Sequence, residues 1–205
     1  MNLAFYYSPM SSSNRIHWAL EELGLPYEKI KVDLSVGAQK KPEYLALNPN
    51  GKVPLLVADG HPIFESLAIL IFLGEQFGTE KGLYPQPGLE RAEALKWMAW
   101  GSVSFGEALF RFLRNTSERF PAEEKNEKAA AAAKNELSAY LTTLDKALEG
   151  KDYLVGSNFS LVDLSLASVF PFMARLGIDT NPYKNVNAWV GRCVTRPALA
   201  RVMMG

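Results

Sequence analysis

Asn48-Pro49-Asn50-Gly51-Lys52-Val53-Pro54-Leu55-Leu56, followed shortly by Phe64-Glu65-Ser66, is the stretch on which the reading of this 205-residue chain turns. A proline inside an apolar, strand-like run cannot donate to a ladder, so it belongs at an edge or a bend. A cis Val53–Pro54 bond resolves the conflict, because X–Pro is the one linkage where cis is cheap. Such a bend turns Val53 out of the sheet and leaves its N–H and C=O to pair with a peptide-like ligand, as an added strand would. Glu65-Ser66 then opens a helix. That pair offers an acceptor for an ammonium, and a hydroxyl plus helix N–H groups for a carboxylate. One end of a short zwitterionic peptide fits it.

Working outward to the N-terminus, Leu3 to Tyr7 is apolar and aromatic and predicts a buried strand. Ser11, Ser12, Ser13 and Asn14 are residue types that favour helix N-caps. Ile16, Ala19, Leu20 and Leu23 then keep helical spacing up to Gly24. Tyr27 to Leu34 alternates and predicts a half-exposed strand. A short helix is expected over Lys41 to Leu47. Val53 to Ala58 and Pro62 to Phe64 flank the hairpin turn Asp59-Gly60. Ser66 to Phe77 is apolar nearly all round and predicts a buried helix. The order is βαβαββα, an α/β domain over residues 1–77.

Gly82, Pro85, Pro87 and Gly88 mark residues 78–89 as a linker. Residues 90–205 carry no strand signal and predict an all-α domain. One long helix is expected over Arg91 to Arg114 and another over Glu123 to Leu148. A third starts at Ser160, where Asp163 reaches back in a variant of the capping box, and is kinked or ended by Pro171. A fourth carries Val186, Trp189, Val190 and Cys193 and stops near Arg196-Pro197.

Bulk properties narrow the function classes. Lys plus Arg equal Asp plus Glu, 22 against 22, which argues against nucleic acid or a membrane surface as the main partner. The single Cys193 excludes an intramolecular disulfide, a dithiol motif and a cysteine-rich metal site. No apolar run is long enough to span a bilayer, and Met1-Asn2 leads straight into strand-like sequence without a signal-peptide pattern. A cytoplasmic protein is expected.

Four segments, in order, resemble the cytosolic glutathione transferase family: Tyr6-Tyr7-Ser8-Pro9 with the serines after it, Asn48 to Pro54, Phe64-Glu65-Ser66-Leu67-Ala68-Ile69, and Phe159-Ser160-Leu161-Val162-Asp163. The resemblance spans almost the whole chain. It implies a thioredoxin-like N-terminal domain, an all-helical C-terminal domain, and a homodimer with one glutathione site per subunit and no metal. The activity it implies is transfer of glutathione to a small, largely apolar electrophile. Val53 and Pro54 are then expected at the cysteinyl unit and Glu65 and Ser66 at the γ-glutamyl end. Lys40 and Lys52 are expected near the glycyl carboxylate. Met10, Phe105, Leu109 and Phe112 would wall the electrophile.

The chemistry needs a thiolate. A free thiol titrates at roughly 8.5, and lowering that by two units takes about 2.7 kcal/mol. One hydroxyl hydrogen bond to a charged sulfur supplies roughly 1.5–3 kcal/mol, and a helix N-terminus adds about 0.3–1 kcal/mol. The resemblance offers three hydroxyls for this: Ser11 first, two residues after Pro9; Ser12 next, where bacterial members carry a cysteine; then Tyr7. Each also has a bland reading as a cap or sheet-edge residue. Ser160 and Asp163 are expected to be structural, His17 to lie on a helix surface, His61 in the hairpin and Cys193 in the core. Two alternatives stay open: a catalytically silent binding protein of this fold, and a glutathione-dependent peroxidase. A thioredoxin-like oxidoreductase is disfavoured, because no cysteine lies near Pro9.

Overall fold

The computed structural model describes residues 1–204. They form two compact units, Met1–Pro85 with the C-terminal segment from Thr195, and Gln86–Val194.

The first unit is built on a four-stranded sheet ordered β2-β1-β3-β4, from β1 (Leu3–Tyr7), β2 (Glu28–Lys31), β3 (Leu55–Ala58) and β4 (His61–Phe64). β1 runs parallel to β2 and antiparallel to β3, and β3 pairs antiparallel with β4. Leu3 and Phe5 alternate inward from β1, and Leu55 and Leu56 are fully buried in β3. The β3–β4 hairpin closes through Asp59 and Gly60, both at positive φ (46° and 82°), the geometry that makes Asp-Gly a favoured hairpin turn.

Between β1 and β2 runs α1 (Ser13–Leu23), which buries Ile16, Leu20 and Leu23 and ends at Gly24. There φ is 59°, and the glycine N–H caps the carbonyls of Leu20 and Glu21. A 3₁₀ turn at Ala38–Lys40 precedes the short α2 (Pro42–Leu45). After β4 comes α3 (Ser66–Leu73), continued by a π turn at Gly74–Gly78. A Cβ on Gly74 would lie 2.7 Å from the Tyr84 ring, so this helix end requires glycine.

The second unit is helical: α4 (Leu89–Trp100), α5 (Gly106–Thr116), α6 (Glu127–Ala147), α7 (Leu161–Ala167), α8 (Phe170–Arg175) and α9 (Lys184–Val194). The single helix expected over Arg91 to Arg114 is one continuous path through α4 and α5, with a π turn at Gly101–Phe105 between them. α6 starts later than expected: Ala122–Glu124 form a 3₁₀ turn, and Asn126 caps the helix by accepting from Ala129 N–H at 3.0 Å. The helix begun at Ser160 breaks after Ala167. Pro171 then sits in the first turn of α8, where its missing N–H costs nothing.

The fourth helix stops at Val194, close to the expected Arg196-Pro197, and a further helix that the sequence reading did not include, α10 (Pro197–Met204), starts at Pro197. α10 does not belong with the helical unit, as a domain over 90–205 requires. It joins the first unit. Arg196 grips Glu22 with two hydrogen bonds of 2.7 and 2.8 Å, while Trp18 Nε1 donates to the same carboxylate at 3.0 Å. Arg201 binds both the side chain and the carbonyl of Glu21, at 2.7 and 3.0 Å. These pairs join residues 174 and 180 positions apart and tie the C-terminal segment to α1.

His17 is a further correction. It is 7% exposed, not on the surface, and sits among the rings of Phe5, Tyr7 and Tyr27 at 6.0–6.2 Å. Burial, followed by the nearby Lys29 charge, pushes its pKa down, against a smaller upward pull from Glu21.

Candidate functional site

The loop between α2 and β3 is held from below. Asn48 is 2% exposed and organises it: its Nδ2 donates to the Lys52 carbonyl at 2.7 Å. Its Oδ1 accepts from Asn50 N–H at 3.1 Å, and its carbonyl accepts from Gly51 N–H at 2.9 Å. Tyr44 Oη donates to the same Lys52 carbonyl at 2.6 Å. Gly51 has φ of 57°, and a Cβ there would meet Lys40 Nζ at 2.8 Å and the Gln39 carbonyl at 2.9 Å. The loop therefore needs glycine twice over, for conformation and for space. Lys40 Nζ donates to the Asn50 carbonyl at 3.4 Å, which brings both lysine candidates to one loop.

The Val53–Pro54 bond is cis, as expected from the sequence. The β3 ladder begins at Leu55, so Val53 stands outside it. Its carbonyl is not open, however: the exposed Ser12 hydroxyl donates to it at 3.3 Å. Ser12 caps nothing in α1; its own backbone is already helical (φ −61°, ψ −9°). Ser11 is placed differently. Its hydroxyl donates to the Ser8 carbonyl at 2.7 Å, its oxygen accepts from Ser13 N–H at 3.1 Å, and it lies 2.9 Å from Ser13 Oγ. Ser11 thus stitches the β1–α1 turn together, while Ser12 faces the Val53 loop. Tyr7 stacks on Phe5 at 5.7 Å, with Lys29 Nζ 4.9 Å from its ring centre.

At the head of α3, Glu65 holds φ of 70° and ψ of 118°, a conformation non-glycine residues rarely adopt. No side chain caps this helix. Glu65 is exposed and Ser66 half-buried, so the uncapped start of α3 lies beside an accessible acidic side chain and a hydroxyl. Strain held at such a point marks a place where the surroundings, rather than local preference, set the backbone.

The electrophile candidates divide. Met10 is 59% exposed at φ of 54°, in the β1–α1 turn. Phe105, Leu109 and Phe112 are 4%, 6% and 9% exposed. Phe105 packs against Trp100, Tyr140 and Phe170 at 5.7, 6.4 and 6.2 Å. The stripe expected to wall a ligand lies on the buried face of its helix, in the core of the helical unit. Cys193 is fully buried and His61 opens β4, as expected. Sequence reasoning quoted Asn48 within its motif but missed its role; an asparagine ahead of a proline-glycine turn, able to hold three backbone groups, was the available signal. Tyr44 gave no signal beyond its helical position.

Residues 1–75 match the family described as "Glutathione S-transferase, N-terminal domain", and residues 104–197 match "Glutathione S-transferase, C-terminal domain". The chain is similar to glutathione S-transferase GstB of Escherichia coli, with 34% identity over 90% of this chain and 89% of that one. It is also similar to the E. coli disulfide-bond oxidoreductase YfcG, with 32% identity over 97% and 93%. Among solved structures, a sphingomonad glutathione S-transferase complexed with glutathione superposes with a TM-score of 0.85 at 33% identity, covering 100% of this chain and 98% of that one. The fold and these matches define a two-unit protein with a thioredoxin-like first unit and a helical second one. The chain belongs to the cytosolic glutathione transferase family.

Proposed function

We propose that this chain binds glutathione along the Val53 loop and the head of α3, and transfers it as a thiolate to a small electrophile. The observation that carries the reading is the Ser12 hydroxyl on the Val53 carbonyl at 3.3 Å. A cysteinyl N–H arriving at that carbonyl takes over the acceptor. Ser12 is then released to donate to the sulfur one side chain away. Ser11, whose proton is committed to Ser8, keeps the turn in shape. Glu65 meets the γ-glutamyl ammonium, the Ser66 hydroxyl and the α3 N–H groups meet its carboxylate, and Lys40 and Lys52 meet the glycyl carboxylate. The thiol proton leaves to water, and the sulfur lone pair forms the new bond as the leaving group departs from, or charge develops on, the electrophile.

A second reading draws on the relative named as a disulfide-bond oxidoreductase. Cys193 is fully buried, so a disulfide exchange here runs between thiols of the ligands alone: one glutathione thiolate attacks a bound disulfide and releases the other thiol as its leaving group. Peroxide reduction by the same thiolate and a silent binding role are the remaining outcomes. The test is activity towards a chlorinated nitroaromatic, a small disulfide and an organic hydroperoxide, for the wild type, Ser12→Ala, Ser11→Ala and Tyr7→Phe. Ser12→Ala is expected to lose about tenfold to a hundredfold, the worth of one hydrogen bond to a charged sulfur. Full activity in Ser12→Ala sinks the assignment. Failure of the wild type to bind immobilised glutathione sinks the whole reading.

The family resemblance also supports a homodimer. Val103 and Phe110 are 68% and 55% exposed, seven residues apart along the α4–α5 path, and offer an apolar stripe for a second copy. Sedimentation of the wild type against Val103→Lys tests it.

A further inference from the structure

Two half-buried arginines and one exposed one are bound to carboxylates. Arg111 binds Glu136 at 2.6 Å, Arg196 binds Glu22 at 2.7 Å, and Arg201, more exposed, binds Glu21 at 2.7 Å. Arg15 is half-buried too, yet it makes no hydrogen bond or ion pair with any described residue. Burial alone pushes its pKa down to about 10, with no neighbouring carboxylate to oppose it. Its nitrogens are not sealed from solvent. A guanidinium kept partly dry without an anion carries a desolvation cost that the chain itself does not offset.

Its place on α1 says which anion it meets. The turn before α1 is already helical: Asn14 N–H donates to the Ser11 carbonyl at 3.2 Å, and Ser12 has helical φ and ψ. Ser11 and Ser12, four and three residues back, therefore share a side of the helix with Arg15. Helical side chains lean towards the N-terminus, the direction in which both serines lie from Arg15. Ser13, Ile16, His17 and Leu20 are buried on the other side, while Trp18 and Ala19, one turn on from Arg15 on its own side, are buried as well, so the open part of that side is its N-terminal end at the exposed Ser12. The other charges around this end are accounted for. Glu21 and Glu22 are taken by Arg201 and Arg196, Lys29 lies at the Tyr7 ring, Lys40 lies on the Asn50 carbonyl, Lys52 is exposed on the same loop, and Glu65 stands at the head of α3.

We propose that Arg15 supplies the positive charge that, beside the Ser12 hydroxyl, keeps the sulfur of bound glutathione ionised. The inference rests on the glutathione reading above and adds a residue to it. No oxidant or further reactant enters: the thiol gives its proton to water, and the thiolate stays next to the guanidinium.

The experiment titrates the thiol of glutathione bound to the wild type, Arg15→Gln and Arg15→Lys, following thiolate absorbance in the ultraviolet. The affinity of each protein for S-hexylglutathione, which has no ionisable sulfur, is measured alongside. In Arg15→Gln the thiolate fraction below the pKa falls about tenfold, one pKa unit's worth. S-hexylglutathione affinity holds within about twofold, a few tenths of a kcal/mol. Arg15→Lys keeps most of the thiolate, and should the neutral variant fail to fold, a lysine variant that keeps no thiolate overturns the proposal by itself. An unchanged thiolate fraction in Arg15→Gln overturns it as well, as does equal loss of glutathione and S-hexylglutathione. If the wild type binds no S-hexylglutathione, the glutathione reading fails first and takes this inference with it.

Discussion

Two helices of this molecule begin just after a phenylalanine and an acidic or hydroxyl residue, and they begin in opposite ways. α7 follows Phe159-Ser160, and its head is closed by a capping box built from Ser160 and Asp163. Asp163 is wholly buried and accepts from Leu154 N–H, Ser160 N–H and Trp189 Nε1, each at 2.9 Å, and from Ser160 Oγ at 3.0 Å. Ser160 Oγ accepts in turn from Val162 N–H at 3.2 Å. α3 follows Phe64-Glu65, and its head has no side-chain cap and a strained entry residue. Local sequence could have closed both. One helix start is closed by buried hydrogen bonds within its unit, and the other has no side-chain cap, which suits the ligand role proposed for it.

That contrast breaks most visibly at Asp163. Asp163→Ala leaves three buried N–H groups without an acceptor, at about 1–3 kcal/mol each, so the helical unit should lose at least ~3 kcal/mol in denaturant unfolding. A loss below about 1 kcal/mol would mean the closed helix start is ornamental. Next in size is Ser66→Ala. It should weaken glutathione about tenfold by titration calorimetry while leaving the unfolding midpoint in place, because an open helix start has little to lose on its own account. Ser160→Ala should do the reverse: about 1 kcal/mol of stability lost, with glutathione affinity unchanged. If both serines move the same observable, the two helix starts are not different in kind.

The smallest effect is with pH. Burial pushes the Asp163 carboxyl up, and its four donors pull it only part of the way back. A folded pKa above the unfolded one means this group's contribution to stability is complete below the ordinary aspartate range. It is lost as pH rises through the raised value. His17 has the opposite sign: its folded pKa is depressed, so its contribution is present above the ordinary histidine value and lost as pH falls. Unfolding free energies measured across acidic pH should show both slopes, and His17→Gln should flatten the second.

How legible all this was in the sequence depends on how far apart the partners lie. The Val53–Pro54 bend, the Asp59-Gly60 hairpin and the Ser160–Asp163 box are local, and each follows from residue chemistry within a few positions. α10 was missed because a proline means either a stop or a first turn, and only packing against α1 decides which. The same distant cover explains His17. Periodicity gave α1 one buried side, whereas Trp18 and Ala19, at 1% and 0% exposure, show it covered on the other as well. Within the site, residue types pointed to Glu65, Ser66 and Val53. Which serine faces Val53 needed the actual path of the turn, since Ser11 and Ser12 are identical in chemistry and adjacent in sequence.

The return of the C-terminal segment to the first unit bears on how the protein is made. Glu21 and Glu22 leave the ribosome early, and their arginines follow only after all of residues 86–194 have been synthesised. At about 5–20 residues per second that interval is on the order of ten seconds. During that interval Glu21 and Glu22 lack the arginines that hold them in the folded chain. The segment from Arg196 to Arg201 thus works as a clasp on α1, supplied only after the intervening helical unit has been made.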